Sequence, residues 1–111
     1  MGYYKLIDSQ SEIKYDLLKR RIIIGRSNDC DVPIKNNSIS KRHAILEFQP
    51  EGHWTLTDLD SSNGTFVNQS QLLPHQPQRI SIRDEIGFYK LKFGLEYDPE
   101  SSPQKQLENK K

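Results

Sequence analysis

Cysteine occurs once in the 111 residues, at Cys30. That excludes an intrachain disulfide framework and a cysteine-built zinc site, and it favours an intracellular setting. No run approaches the roughly 18 apolar residues of a membrane-spanning helix, and no signal-peptide pattern opens the chain, so no membrane partner is expected. A strong charge of either sign is also missing, since 16 Lys and Arg stand against 15 Asp and Glu for a net +1. A protein that grips nucleic acid through its phosphates usually shows a larger basic excess. Any recognition of negative charge must then be local.

Apolar residues make up only 33% of the chain and charged ones 28%. Much of that polarity lies in turns and at the C-terminus. Residues 98–111, "DPESSPQKQLENKK", have no aromatic and almost no apolar residue, and they read as a disordered tail or the start of a linker. Residues 1–97 read as one compact domain, long enough to bury a core without metal or disulfides. The polar tail suggests the amino-terminal part of a longer protein.

Helical spacing of apolar residues is absent, and the period is two nearly throughout. Ile13, Tyr15 and Leu17 alternate with Lys14 and Asp16; Ala44, Leu46 and Phe48 share one face. From Ile86 onward, Tyr89, Leu91, Phe93, Leu95 and Tyr97 share a face opposite Lys90, Lys92 and Glu96. That is the chemistry of half-buried strands. Turn signals recur at short intervals, among them Asn28-Asp29, Asn36-Asn37, Ser62-Asn63-Gly64 and Arg83-Asp84. "FQPEGHW" predicts a hairpin. Many short strands with frequent turns predict an all-β sandwich or barrel with function on its loops.

Three loops could carry chemistry: "IIIGRSNDCDVPI", "SISKRHAIL" and "DLDSSNGTFVN". Each has an ordinary reading. Arg26 alone is a solvated charge, Asn63-Gly64 alone a hairpin turn, and His43 before an apolar strand a structural histidine. Ser40 and His43 could form a nucleophile and base, but no Gly-x-Ser-x-Gly elbow exists and no acid is placed behind His43. "GRSNDC" lacks the second glycine and Gly-Lys-Ser/Thr end of a nucleotide phosphate loop. The basic runs Lys19-Arg20-Arg21 and Lys41-Arg42 have no interleaved aromatics for stacking on nucleic acid. His43, His53, His75 and Cys30 show no zinc-ligand spacing. No enzyme, metal or cofactor is expected.

Taken in order, Gly25-Arg26, then Ser40-x-x-His43, then Ser62-Asn63-Gly64 with Val67-Asn68 behind it, resemble the forkhead-associated (FHA) domain over nearly all of residues 3–97. The resemblance implies a two-sheet β-sandwich of about eleven strands, whose apical loops bind phosphothreonine in an extended peptide. It implies that Arg26 contacts the phosphate, that Ser40 donates its hydroxyl, and that Lys41 reaches the phosphate or peptide. Ser62 and Asn63 match the loop that holds the peptide, with Asn63 bonding its main chain. Gly25, His43 and Gly64 match supporting positions, and Ser38 lies near where the third residue after the phosphothreonine is read. Ser62 stands where many members have threonine. A phosphothreonine carries about −1.5 to −2 charges and three acceptor oxygens, which convergent arginine, serine and lysine donors suit.

The alternative use of such a fold is assembly through a sheet face or edge, so a homodimer is a possible partner arrangement. A narrower resemblance is to the amino-terminal module of mediator-of-DNA-damage-checkpoint adaptors, which implies a nuclear damage-signalling role. Ser9-Gln10 and Ser70-Gln71 fit the dipeptide that damage-response kinases modify, although composition alone supplies about one such pair. FHA modules of cytoskeletal and centrosomal proteins are the other setting.

Overall fold

The computed structural model describes residues 2–99. Within them the alternating segments form eleven strands: β1 (Tyr3–Asp8), β2 (Lys14–Leu17), β3 (Arg21–Gly25), β4 (Val32–Pro33), β5 (Ala44–Phe48), β6 (Trp54–Asp58), β7 (Thr65–Val67), β8 (Ser70–Gln71), β9 (Gln78–Ile80), β10 (Ile86–Phe88) and β11 (Leu91–Asp98). They make a six-stranded sheet, β2-β1-β11-β10-β7-β8, and a five-stranded sheet, β4-β3-β5-β6-β9. The fold is an all-β sandwich. β11 ends at Asp98, and the expected tail lies, from residue 100 onward, outside the described residues.

Alternation explains the core. Leu6, Ile86, Phe88, Phe93 and Leu95 from the larger sheet meet Ile22, Ile24, Ala44, Leu46 and Leu56 from the smaller one, all buried. At one end, Tyr4, Phe48 and Trp54 pack ring against ring at 5.1–5.8 Å. At the other, Phe88 lies 5.2 Å from Phe93 and 5.5 Å from the His43 ring. Such aromatic pairs add stabilisation beyond their buried area.

The expected hairpin over residues 48–54 is present, with Phe48 opposite Trp54. Two expectations from the period of two do not hold. Ile13 is 53% exposed, because pairing of the edge strand β2 with β1 begins at Lys14 opposite Ile7. The run from Ile86 is two strands, since Phe88 pairs with Leu91 and the chain reverses at Tyr89-Lys90, where Tyr89 has φ 56°. Tyr89 therefore occupies a turn instead of the face it was assigned.

Candidate functional site

The C-terminal ends of β3 and β6 and the N-terminal ends of β5 and β7 meet at one end of the sandwich. These strand ends and the loops joining them hold Gly25, Arg26, Ser38, Ser40, Lys41, His43, Ser62, Asn63 and Gly64. β3 ends on Gly25, which has no room for a side chain: a Cβ would come within 2.8 Å of the Lys41 carbonyl carbon and 2.9 Å of Arg42 Cα, and closer still to the Lys41 oxygen. This close approach lets the next residues of the two loops pair. Arg26 N–H donates to Ser40 O at 2.9 Å and Ser27 N–H to Lys41 O at 3.2 Å.

"SISKRH" reads as polar, yet Ile39 within it is 1% exposed. It anchors the loop in the core and so turns Ser38 and Ser40, its neighbours, outward. The sequence reading overlooked it because one isoleucine among polar residues has no periodic partner. Arg26 Nε donates to the Ile39 carbonyl at 3.0 Å, which fixes the guanidinium over this loop. The two terminal guanidinium nitrogens have no acceptor among the described residues. Neither has the Lys41 ammonium, whose side chain is exposed.

His43 is fully buried and joins the loops. Ser40 N–H donates to Nδ1 at 3.1 Å, and Nε2 lies 2.9 Å from Gly64 O. An acceptor at Nδ1 requires the proton on Nε2, so the ring is neutral and Nε2 donates to Gly64. Burial pushes its pKa below the ordinary histidine value, opposed by the Gly64 bond and the Asp58 charge. Neither nitrogen touches the Ser40 hydroxyl, so the pair is not arranged as nucleophile and base. Ser40 Oγ instead accepts Ser62 N–H at 3.0 Å, which leaves its own proton free to donate outward.

Asn63 Nδ2 donates to Ser38 O at 2.8 Å, tying the third loop to the second. Ser62 and Asn63 are exposed, and Gly64, at φ 95°, has the left-handed backbone that only glycine adopts freely. The chain here passes from one sheet to the other, so Asn63-Gly64 is not the two-residue hairpin its sequence resembles. The anchor of this loop is a residue the sequence reading missed, Asp58. Its carboxylate is 3% exposed and accepts Ser61 Oγ–H at 2.5 Å, Ser61 N–H at 3.2 Å and Thr65 Oγ1–H at 2.6 Å. Ser61 Oγ in turn accepts Gly64 N–H at 3.0 Å. The signal was present in Asp58-x-x-Ser61, a side-chain-to-backbone turn pattern.

Charges around the loops are sorted by pairing. Arg42 bonds Asp29 at 3.0 Å; hydrogen bonding from Ser27 and the Arg42 charge hold the Asp29 carboxyl below the ordinary carboxylate value. Lys35, which sequence reasoning also missed, caps the Arg26 carbonyl at 3.0 Å and bonds the Asn28 side chain. Cys30 donates its thiol to Lys41 O at 3.1 Å, and burial raises its pKa, so it is a packed donor. Among the described residues no three His, Cys, Asp or Glu side chains gather as a metal site would need. Among the described residues Arg26, Lys35 and Lys41 have no carboxylate partner, and Lys35 is occupied by the Arg26 carbonyl and Asn28, which leaves Arg26 and Lys41 as the cations on the loops that hold Ser40.

A family model described as the FHA domain matches residues 22–89. The chain belongs to the FHA domain family. FHA domains are protein-interaction modules, and the two-sheet architecture is theirs. Over 72 residues, 63% of the chain, this FHA domain is 38% identical to the human (Homo sapiens) nuclear inhibitor of protein phosphatase 1. Over 48 residues, 43% of the chain, it is 42% identical to the E3 ubiquitin-protein ligase RNF8 of Rattus norvegicus. The matched region spans only 20% and 10% of those proteins. A solved FHA domain, from work on phosphothreonine-dependent FHA interactions, is 26% identical with a TM-score of 0.75, covering 87% of this chain and 98% of its own. These relatives, a phosphatase inhibitor and a ubiquitin ligase, lend no support to the narrower resemblance to checkpoint mediators.

Proposed function

We propose that this FHA domain is a phosphothreonine-peptide reader that mediates phosphorylation-dependent protein–protein interaction. Arg26, Ser40 and Lys41 form the phosphate cradle, and Ser62 and Asn63 hold the peptide. One observation carries the reading: Ser40 Oγ accepts Ser62 N–H and keeps its own proton to donate, on the loop whose Ile39 carbonyl holds the Arg26 guanidinium. Three donors left without acceptors on rigid strand ends suit a dianion, and little ordering cost remains at binding. The structural neighbour studied for phosphothreonine-dependent interactions supports the same ligand class. Asn63 keeps its amide oxygen free to accept a peptide N–H, and Ser38, whose carbonyl already takes the Asn63 amide, borders the same edge as the specificity candidate.

The test is a titration of phosphothreonine, phosphoserine and unphosphorylated peptide pools against the wild type and Arg26→Ala. Micromolar binding confined to phosphothreonine is expected. Loss of a charge-assisted pair should weaken it by about 1.5–3 kcal/mol, roughly 10- to 150-fold, with the fold intact. Equal affinity for the variant, or no binding in any pool, would overturn the reading.

A nuclear setting is the finer proposal, supported by similarity to a nuclear phosphatase inhibitor. A role in damage signalling within it rests on Ser9-Gln10 and Ser70-Gln71, whose four residues are all exposed. Treating the chain with a Ser-Gln-directed kinase and mapping the phosphate tests it; neither serine accepting phosphate would remove that support.

A further inference from the structure

Two cavities lie at the end of the sandwich away from these loops. One, of about 430 Å³, is lined by Leu18, Arg20 and Phe48 among others. The second, of about 320 Å³, is lined by Arg79 and Ile82 among others. Both are bordered by Tyr4, Trp54 and Tyr97, so they form one groove with an aromatic wall. Volumes of this size accept side chains of a bound segment.

Three properties set the groove apart from ordinary surface. First, of the five large apolar side chains that are exposed, three border it: Leu18 at 63%, Ile82 at 57% and Tyr97 at 44%. Scattered apolar residues need no explanation, but a contiguous set beside cavities marks a contact surface. Second, Trp54 lines both cavities and its buried indole N–H has no acceptor among the described residues, so a shift of the ring on binding could pair it. Third, the unpaired charge here is positive. Lys19 is paired with Asp31, Lys5 with Asp98 and Arg21 with Glu47, whereas Arg20 and Arg79 have no carboxylate partner among the described residues.

We propose that this groove is a second docking site, for an extended segment of a partner protein. Apolar or aromatic side chains of that segment fill the two cavities, and flanking Asp or Glu residues meet Arg20 and Arg79. The phosphate cradle takes no part, so the site does not depend on the phosphopeptide reading. The chain's own residues 100–111 are a poor match in charge, with Lys105, Lys110 and Lys111 against Glu100 and Glu108 and a single aliphatic, Leu107. Tryptophan, tyrosine and arginine, all present here, are the side chains that most often dominate protein interfaces.

The experiment uses the full 111-residue chain and two unphosphorylated peptide pools. Both have a degenerate aromatic and aliphatic centre, flanked by Asp and Glu in one pool and by Lys and Arg in the other. Binding is followed by polarisation and by the emission of Trp54, the sole tryptophan. The acidic pool should yield saturable binders that shift the emission, with the basic pool at least about tenfold weaker. The paired charge reversals Arg20→Glu and Arg79→Glu, on exposed side chains, should weaken binding by about tenfold or more, while Arg26→Ala leaves it unchanged. No saturable binder from the acidic pool, equal binding of the basic pool, or loss in Arg26→Ala would overturn the proposal. So would two other results: self-association that Leu18→Glu disperses, which assigns the groove to a second copy, or a shift of Trp54 emission caused by Leu107→Ser alone, which assigns it to the tail.

Discussion

His43 has a task for each ring nitrogen, and accepting at Nδ1 requires the neutral ring. A second proton would sit on Nδ1, facing the Ser40 N–H that now donates there. Burial has lowered the folded-state pKa, so the unfolded chain takes up this proton first as pH falls. Above about pH 6.5 both states are neutral and stability is at its plateau; below it, stability declines by at most about 1.4 kcal/mol per pH unit. The carboxyls of Asp29, Asp31 and Asp84, all held below their ordinary values, contribute their loss only at still lower pH, near and below the usual carboxylate range. Denaturant melts of the unliganded domain between pH 4.5 and 7.5, a window set by these values, should show the histidine decline, and His43→Gln should flatten it. His43→Ala removes the acceptor for Ser40 N–H and opens a void beside Phe88, whereas Gly64 O still accepts Tyr89 N–H. A stability loss of about 2–4 kcal/mol is expected, together with weaker peptide binding. Lost binding at unchanged stability would instead mean that the imidazole touches the ligand.

The elements that carry the site are loops, and each is held by one inward residue: Gly25 by its missing Cβ, Ile39 by burial, Asp58 by three hydrogen bonds. Gly25→Ala would push β3 off the Lys41 backbone and part Arg26 from Ser40. We expect about 1–3 kcal/mol lost to overpacking and a larger fall in phosphopeptide affinity than stability alone explains. Asp58→Ala leaves Ser61 and Thr65 hydroxyls without their acceptor and should release the third loop. Its signature would be faster amide exchange at residues 59–64 with the two sheets still protected, and unchanged exchange there would contradict it. These anchors also explain what was legible beforehand. Period-two alternation exposed the sheets because β5, β10 and β11 each have a wet and a dry side or a continuous dry run. The ordered motifs exposed the site because their polar side chains face one end. Ile39 and Asp58 escaped because an anchor is defined by what it meets in space. Asn68-Gln69 escaped as a turn for a similar reason: both residues take positive φ in a two-residue hairpin between Val67 and Ser70, and Asn68 is further held by Asp84 and Glu85. Tyr89 misled because it stands in phase with Leu91, Phe93 and Leu95, although the two-residue turn shifts the alternation by one between β10 and β11.

At the scale of the molecule, β3 separates two chemically different ends. Arg20 precedes the strand and Arg26 follows it, an extended path of about 20 Å at the usual rise per residue. One end offers donors for a phosphate; the other offers an aromatic groove with a basic rim. The two sheets share one packed core, and among the described residues no chain of hydrogen bonds links His43 to Trp54. The two ends should therefore act independently. With the domain saturated in phosphothreonine peptide, the affinity for an acidic groove peptide should change by less than about twofold, and the reverse titration should agree, since coupling between binding sites is reciprocal. Trp54 makes the experiment direct: its emission should respond to the groove peptide and remain still when the phosphopeptide binds. If both sequences lie on one partner chain, affinity should rise through effective concentration without any change at either site, and a linker too short to span the sandwich should abolish that gain. A coupling of about fivefold or more between separate peptides would contradict independence and would require the strands themselves to shift between two arrangements.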